Sequence, residues 1–168
     1  MDDDRNESRS LSHLDEEGKA RMVDIGDKDT TRREAVAEGY VKMNRSTLDL
    51  IVSGRVPKGD VLQTARIAGI CAAKKSPELV PLCHPIRVDS VSVDFEVCRE
   101  RGALRVSSHV KATDRTGVEI EALTAVLISA LTIYDMCKAV DREMEIERVR
   151  LISKSGGRSG EWKRNEDG

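Results

Sequence analysis

The sequence predicts an α+β fold of the ferredoxin-like (βαββαβ) kind, an antiparallel sheet with helices on one face. Three observations point there. Segments of alternating polarity and segments of helical pattern follow one another as strand, helix pair, strand, strand, helix, strand. The two longest helical segments are apolar on most sides and rich in alanine, as helices packed between neighbours are. And 168 residues (18.6 kDa) with no internal repeat make one domain with short tails. The body is expected over residues 21–160, after a disordered acidic arm (1–20) and before a polar tail (161–168). Ten of the first twenty residues are charged and little there is apolar, which is why the arm is set apart.

Each element has its own signal. Arg33 to Met43 alternates Ala35, Ala37, Val41 and Met43 against Glu38, Tyr40 and Lys42, a strand. Ser46 with Asp49 three residues later resembles a capping box and opens a short helix that ends at Gly54. Asp60 is the expected N-cap of a second helix, Val61 to Lys75, stopped by Pro77. Pro81 and Pro85 stiffen the loop between them. In the strand that follows, Ile86 and Val88 hold one phase, while Val91, Val93, Phe95 and Val97 hold the other. The change at Asp89-Ser90 predicts a bulge. Arg99-Glu100-Arg101-Gly102 turns the chain into a returning strand with Leu104, Val106 and Val110. Asp114 to Gly117 leads into a long helix from Val118 to about Ala139, and Ile146 to Ser153 is the last strand. Several strands carry apolar residues on both parities, so the sheet face opposite the helices is expected to be covered by another subunit of a homo-oligomer.

Composition excludes several partners. Aromatics are 2%, namely Tyr40, Phe95, Tyr134 and Trp162, which leaves almost nothing for base stacking. A net charge of −2 argues against a general nucleic-acid surface. No long uniformly apolar run or leader-like segment is seen, so neither membrane insertion nor export is expected. The four cysteines, at 71, 83, 98 and 137, fit no zinc spacing and are expected to be reduced cytoplasmic thiols. No metal site is expected.

The chemistry-bearing residues stand out against this background. Along the long helix Glu121, Thr124, Thr132, Asp135 and Lys138 form one polar stripe. Asp135 and Lys138 are either a structural ion pair or an acid/base pair whose lysine is moved toward neutrality by partial desolvation. Glu119 and Glu121 either complement the helix N-terminus or accept from the N–H groups of a heterocycle. Lys154-Ser155-Gly156-Gly157-Arg158-Ser159-Gly160 is not a Walker A loop, but its glycines and cations suit phosphate oxygens; the alternative is a flexible exit to the tail. His84, in Leu82-Cys83-His84-Pro85, is either structural or a donor to phosphate or carbonyl. Lys58, Lys74 and Lys75 are by default solvated cations around one helix.

These segments strongly resemble the cyclic pyranopterin monophosphate synthase family of molybdenum cofactor biosynthesis. The resemblance covers roughly residues 11–162. It runs through Met22-Val23-Asp24-Ile25, Arg33-Glu34-Ala35, Lys58-Gly59-Asp60 and Thr64-Ala65-Arg66-Ile67-Ala68-Gly69-Ile70. It continues in Pro81-Leu82-Cys83-His84-Pro85, Thr116 to Thr124, Leu131 to Ala139 and Lys154 to Gly160. The resemblance implies a lyase that converts 3′,8-cyclo-7,8-dihydroguanosine 5′-triphosphate to cyclic pyranopterin monophosphate and pyrophosphate. It implies a homohexamer, a trimer of dimers with sites at the dimer interface, and no cofactor, a divalent ion travelling with the triphosphate being left open. Carried over, Lys138 would be the acid/base with Asp135 its partner, and Lys58 a second essential lysine. Asp24 and Arg33 would belong to a segment closing over the site. His84, Arg66, Lys74, Lys154 and Arg158 would hold phosphates, Leu82 and Cys83 would line the site, and Glu119 and Glu121 would meet the N–H groups of the forming pterin. Two other readings compete with it. A ferredoxin-like module that only senses a nucleotide has no need of Asp135 and Lys138 in an apolar helix. An RNA-binding domain lacks the aromatics and the charge.

Overall fold

The computed structural model describes residues 17–165. Residues 17–30 are turns and irregular backbone with one isolated bridge at Ala20, and then the chain forms β1 (Thr31–Lys42), α1 (Arg45–Val52), α2 (Val61–Ala73) and a short α3 (Ser76–Leu79). A hairpin follows, β2 (Val88–Cys98) and β3 (Ala103–Asp114), then α4 (Glu119–Cys137), β4 (Glu145–Ser155) and β5 (Trp162–Lys163). Strand order is β2-β3-β1-β4-β5, and every neighbouring pair is antiparallel. β3 lies between β1 and β2, the two ends of the first crossover, which is the split βαβ of the expected fold.

The helices lie on one face. Ala35, Ala37 and Val41 of β1 and Leu104, Val106 and Val110 of β3 point into the layer beneath them, with Val126, Ala130 and Ile133 of α4 above. α2 runs antiparallel to α4: the Ser129 hydroxyl donates to the Ala65 carbonyl at 3.0 Å. At Gly69 the helices touch so closely that a Cβ would overlap the Ser129 hydroxyl and lie 2.8 Å from the Ala125 carbonyl. The alanine-rich pattern exists to permit this approach. Gly102 closes the β2–β3 turn at φ 58°, a left-handed conformation that glycine adopts without cost. The bulge falls between Val88 and Ser90, as the phase change requires.

Several expectations are corrected. The Ser46/Asp49 capping box does not form. The N-cap is Asn44, with no cap bond from its own side chain, and Asp49 pairs instead with Arg99 at 2.8 Å. The cap comes from across the fold: the buried Asp141 carboxylate accepts from the Asn44 N–H at 2.9 Å and from the Thr47 hydroxyl at 3.0 Å. Pro77 does not directly stop α2, which ends at Ala73; it stands in the first turn of α3, where its missing N–H costs nothing. The tail expected from 161 begins as an edge strand, β5 pairing with Ser153 and Lys154. Of the N-terminal arm, residues 1–16 lie outside the described residues, as do 166–168 of the tail.

The sheet face opposite the helices is charged rather than apolar. Glu38, only 4% exposed, is held between Arg105 at 2.8 Å and Arg150 at 3.0 Å, and Glu34 lies among Arg32, His109 and Lys111. His109 is the largest reason that the Glu34 carboxyl sits below its ordinary range. Exposed apolar residues gather on the helix layer at Ile67, Ile120, Leu127 and Leu131, with Val97, Ile146 and Trp162 exposed singly on strands. α4 is long and apolar enough to cross a bilayer by length and composition, contrary to the expectation that no such segment exists. Here it is packed on the sheet as the core helix.

Candidate active site

The antiparallel register brings the start of β1 and the ends of β3 and β4 together at one end of the sheet. Thr31 of β1 lies opposite Asp114 of β3, and Glu34 of β1 opposite Ser155 of β4. The glycine-rich loop after β4 and the turn before α4 therefore face each other across the start of β1. They enclose a cleft of about 560 Å³ with Lys28, Arg33, Arg115, Lys154 and Arg158 as its cations and Asp29 and Glu119 as its acids. Arg33 is 9% exposed, and its hydrogen bonds go to the carbonyls of Asp114 (3.2 Å) and Arg115 (3.1 Å). Its guanidinium runs under the loop: a Cβ on Gly157, whose φ is +71°, would overlap it. Lys154 is held by the Ser159 hydroxyl at 2.6 Å and Glu119 at 3.4 Å. Such a concentration of donors and positive charge suits a polyanion.

A recess of about 310 Å³ adjoins the cleft through Thr116, Gly117 and Glu119, and is completed by Leu82, Cys83, His84 and Ile120. The Cys83 thiol donates to Glu121 at 3.5 Å. Burial, with the Glu121 charge added, pushes that thiol up to about 11, so it is no nucleophile at neutral pH. Glu121 is 1% exposed, and burial raises its carboxyl above the ordinary range. Its Oε2, like the Thr31 hydroxyl, is buried without a partner among the described residues. Buried polar atoms are seldom left unmatched, so both have a hydrogen bond to offer that the described residues do not take up. His84 Nε2 lies 2.7 Å from the Val23 carbonyl and must carry the proton there. Asp24, the next residue, is exposed and accepts from the Gly26 N–H at 2.8 Å.

The lysine pair is elsewhere, at the C-terminal end of α4. Lys138 is 2.8 Å from one Asp135 oxygen and Lys58 is 3.4 Å from the other, and Lys58 also donates to the Asp135 backbone carbonyl at 2.9 Å. All three side chains are about half exposed. The two lysines hold Asp135 below its ordinary range, Lys138 having the larger effect. Asp135 in turn raises Lys138 above its ordinary value. The expected shift of Lys138 toward neutrality is thus reversed in the single chain. The carboxylate favours the ammonium form, and too little water has been removed to oppose it. The polar stripe itself is real, but it is buried at Glu121 and Thr124 and open at Asp135 and Lys138.

Glu119 and Lys138 bracket the same straight helix, and at 1.5 Å per residue they stand about 28 Å apart. One chain therefore brings Arg33, Glu119, Lys154 and Arg158 together, with Leu82, Cys83, His84 and Glu121 beside them. It does not bring Lys58, Asp135 and Lys138 to that place. Arg66 is bound to the Val93 carbonyl at 2.9 Å and to Gln63 at 2.8 Å, over the Phe95 ring, and Lys74 is the exposed C-cap of α2. Neither lines the cleft. Lys28, Asp29, Thr31 and Arg115 do line it and were not singled out from the sequence. Arg115 and Thr116 had a signal in their place beside Gly117, whereas Lys28 had none.

The described geometry can be set beside known proteins. The sequence profile of the MoaC family matches residues 22–157, from the segment that His84 contacts to the second glycine of the loop. Among relatives called cyclic pyranopterin monophosphate synthase, that of Chloroflexus aggregans is 59% identical over 156 residues, covering 93% of this chain and 94% of the relative. That of Pelotomaculum thermopropionicum is 58% identical, covering 92% and 91%. That of Brucella ovis is 54% identical, covering 92% and 94%. The matched span holds both ends of α4, the recess and the cleft up to Gly157, Arg158 and Ser159 lying just beyond it, and the chain belongs to the MoaC family.

Proposed function

We propose that the chain converts 3′,8-cyclo-7,8-dihydroguanosine 5′-triphosphate to cyclic pyranopterin monophosphate with release of pyrophosphate, at a site shared by two copies in a trimer of dimers. As a MoaC-family protein it is an enzyme of molybdenum cofactor biosynthesis, a lyase. The observation that carries the fuller statement is the separation along α4. A cleft for a polyanion lies at one end and a lysine–aspartate–lysine cluster at the other, farther apart than a nucleoside triphosphate reaches. Two copies in antiparallel apposition would bring the halves together.

In that site Arg33, Lys154 and Arg158 hold the triphosphate and offset the charge on the departing pyrophosphate. Glu119 and Glu121 face the ring nitrogens, and the raised carboxyl of Glu121 is suited to share a proton with an N–H or a ring nitrogen. Asp135 keeps Lys58 and Lys138 fixed and close. Bringing Lys138 beside the cations of the cleft, with water excluded, opposes the effect of Asp135 and lowers its ammonium toward the range where it can give and take protons. The reaction is redox-neutral and calls on no redox cofactor. A divalent ion accompanying the triphosphate would enter with the substrate.

The test is incubation of the purified protein with the cyclised triphosphate, following pyrophosphate and the pterin product. Wild type is expected to yield both, and Lys138→Ala neither, with substrate still bound. Binding without turnover by wild type would instead favour a nucleotide sensor and overturn the proposal.

A further inference from the structure

Lys154 stands at the root of the glycine-rich loop, and part of what holds it there comes from beyond the loop. The chain leaves β4 at Ser155, makes the loop and returns as β5, so that Lys154 lies opposite Trp162 and Ser153 opposite Lys163. Arg164 fastens the return. Its backbone N–H donates to the Ile152 carbonyl at 2.8 Å, and its Nε donates to the Leu151 carbonyl at 2.8 Å. Its guanidinium also lies 5.6 Å from the centre of the Trp162 ring. Trp162 in turn lines a recess of about 210 Å³ that shares Lys154 and Ser155 with the polyanion cleft. Residues 155–161 are thus a hairpin loop closed at both ends, not an open exit to the tail.

We infer that Arg164, through β5, is a positioning residue of the cleft: it closes the glycine-rich loop on its return side and so holds Lys154 and Arg158 ready for phosphate before a ligand arrives. The inference rests on the polyanion cleft of the proposed function and adds to it the element that aims its cations. Gly156, Gly157 and Gly160 have φ of +97°, +71° and +61°. Glycine reaches such angles without steric cost, but it also has the most backbone freedom to lose. Within the loop the Gly160 N–H donates to the Gly157 carbonyl at 3.1 Å, and Lys154 donates to the Ser159 hydroxyl at 2.6 Å. Two such bonds do not fix residues 155–161 against that freedom. With its far end loose, the loop would have to be ordered by the anion, at a cost to affinity. With its far end paired to β4, the ordering is complete in the folded chain and the cations are already in place. The same closure seats Gly157 against the Arg33 guanidinium, a further cation of the cleft. Arg164 itself is not among the residues lining the cleft, and its Nε is engaged by a backbone carbonyl. Its effect on the anion therefore passes through the loop.

Two substitutions in the full-length protein separate an anchor from a charge. Arg164→Gln removes the charge but sets its amide nitrogen as many bonds from the backbone as Nε, so donation to the Leu151 carbonyl survives. Arg164→Met removes donor and charge alike. Titration calorimetry with pyrophosphate should show wild-type binding in Arg164→Gln and binding about 10-fold weaker in Arg164→Met. With the cyclised triphosphate as substrate, KM should rise by a similar factor in Arg164→Met while kcat holds, because the seated anion restores the loop. Trp162, the single tryptophan of the chain, supplies a second measure. If docking of β5 favours the anion, the anion favours docking of β5 by the same factor. Emission of Arg164→Met should therefore be red-shifted without ligand and return toward the wild-type wavelength with pyrophosphate. Equal loss of binding in both variants would make the charge itself the contact and overturn the inference. So would unaltered binding in Arg164→Met, a fall in kcat with KM unchanged, or emission that ignores saturating pyrophosphate. Pyrophosphate binding does not depend on turnover. Binding that follows Arg164 without turnover by wild type would overturn the proposed reaction and leave the anchor standing; turnover with binding indifferent to Arg164→Met would do the reverse. No pyrophosphate binding by wild type would overturn both.

Discussion

Two inactive variants should restore activity to each other. Lys138→Ala removes the proton-transfer group at one end of α4, and Lys154→Ala removes a phosphate cation about 28 Å away at the other. Lys138 is half exposed and Lys154 a quarter exposed, so neither truncation cuts the core. Each variant alone should lose at least about 100-fold in kcat/KM, the usual range for loss of an acid/base or of an electrostatic contact to the transition state. Unfolded together in equal amounts and refolded, half of the pairs formed are mixed. A mixed two-fold pair has one site lacking both lysines and one site lacking neither. Half of the pairs with half of their sites intact amounts to about one quarter of wild-type activity. The assay is the initial rate of pyrophosphate release by the mixture, with each variant refolded alone as control. If both lysines served the same chain's site, every site in the mixture would lack one of them. A rate no higher than the controls, from a mixture shown by mass to contain mixed pairs, would refute the two-copy site.

Other outcomes follow from single contacts. Gly157→Ala places a Cβ on the Arg33 guanidinium at a φ of +71°, and titration calorimetry should show pyrophosphate binding weakened by about 10-fold, with the fold retained. Gly69→Val drives a side chain into Ser129 and the Ala125 carbonyl, an overpacking cost of about 2–3 kcal/mol, and Tm should fall by roughly 5–10 °C. Asp141→Ala leaves the N-terminus of α1 without its distant cap and should cost about 1–2 kcal/mol in urea unfolding, with Asp141→Asn milder. Burial raises the Glu121 carboxyl in the folded state, so the fold favours its neutral form. The protein is then least burdened below the ordinary carboxylate pKa and loses stability as pH rises through the raised one. Glu121→Gln should therefore raise Tm at pH 7–8 and leave it nearly unchanged at pH 4, and an equal gain at both would show that ionisation is not the cause.

Periodicity reveals which residues share a face and where the chain must turn. From it came the alternation of β1, the phase change at Asp89-Ser90, the Asp60 cap confirmed by its bond from the Gln63 N–H at 3.0 Å, and the long apolar α4. The strings around His84, Gly117, Lys138 and Gly156 likewise carried the resemblance to the family, because they are colinear and need no third dimension to be compared. These features are local, determined by the spacing of side chains along a helix or strand.

What the chain could not declare is which distant residues meet. Asp141 caps α1 from nearly a hundred residues away, so the local Ser46/Asp49 pattern misled. Glu38, with an ordinary strand neighbourhood, became a buried carboxylate between two arginines, which turned the supposed apolar sheet face into a charged one. Lys28 joined the cleft with no motif of its own. Asp135 and Lys138 read as one polar stripe with Glu121 because they share a helix, yet the rise of that helix keeps its two ends apart. Composition and spacing along the chain determined the elements and the family. Only the tertiary structure decided what each charge faces, because the neighbours that set an electrostatic environment are chosen by packing and not by sequence order.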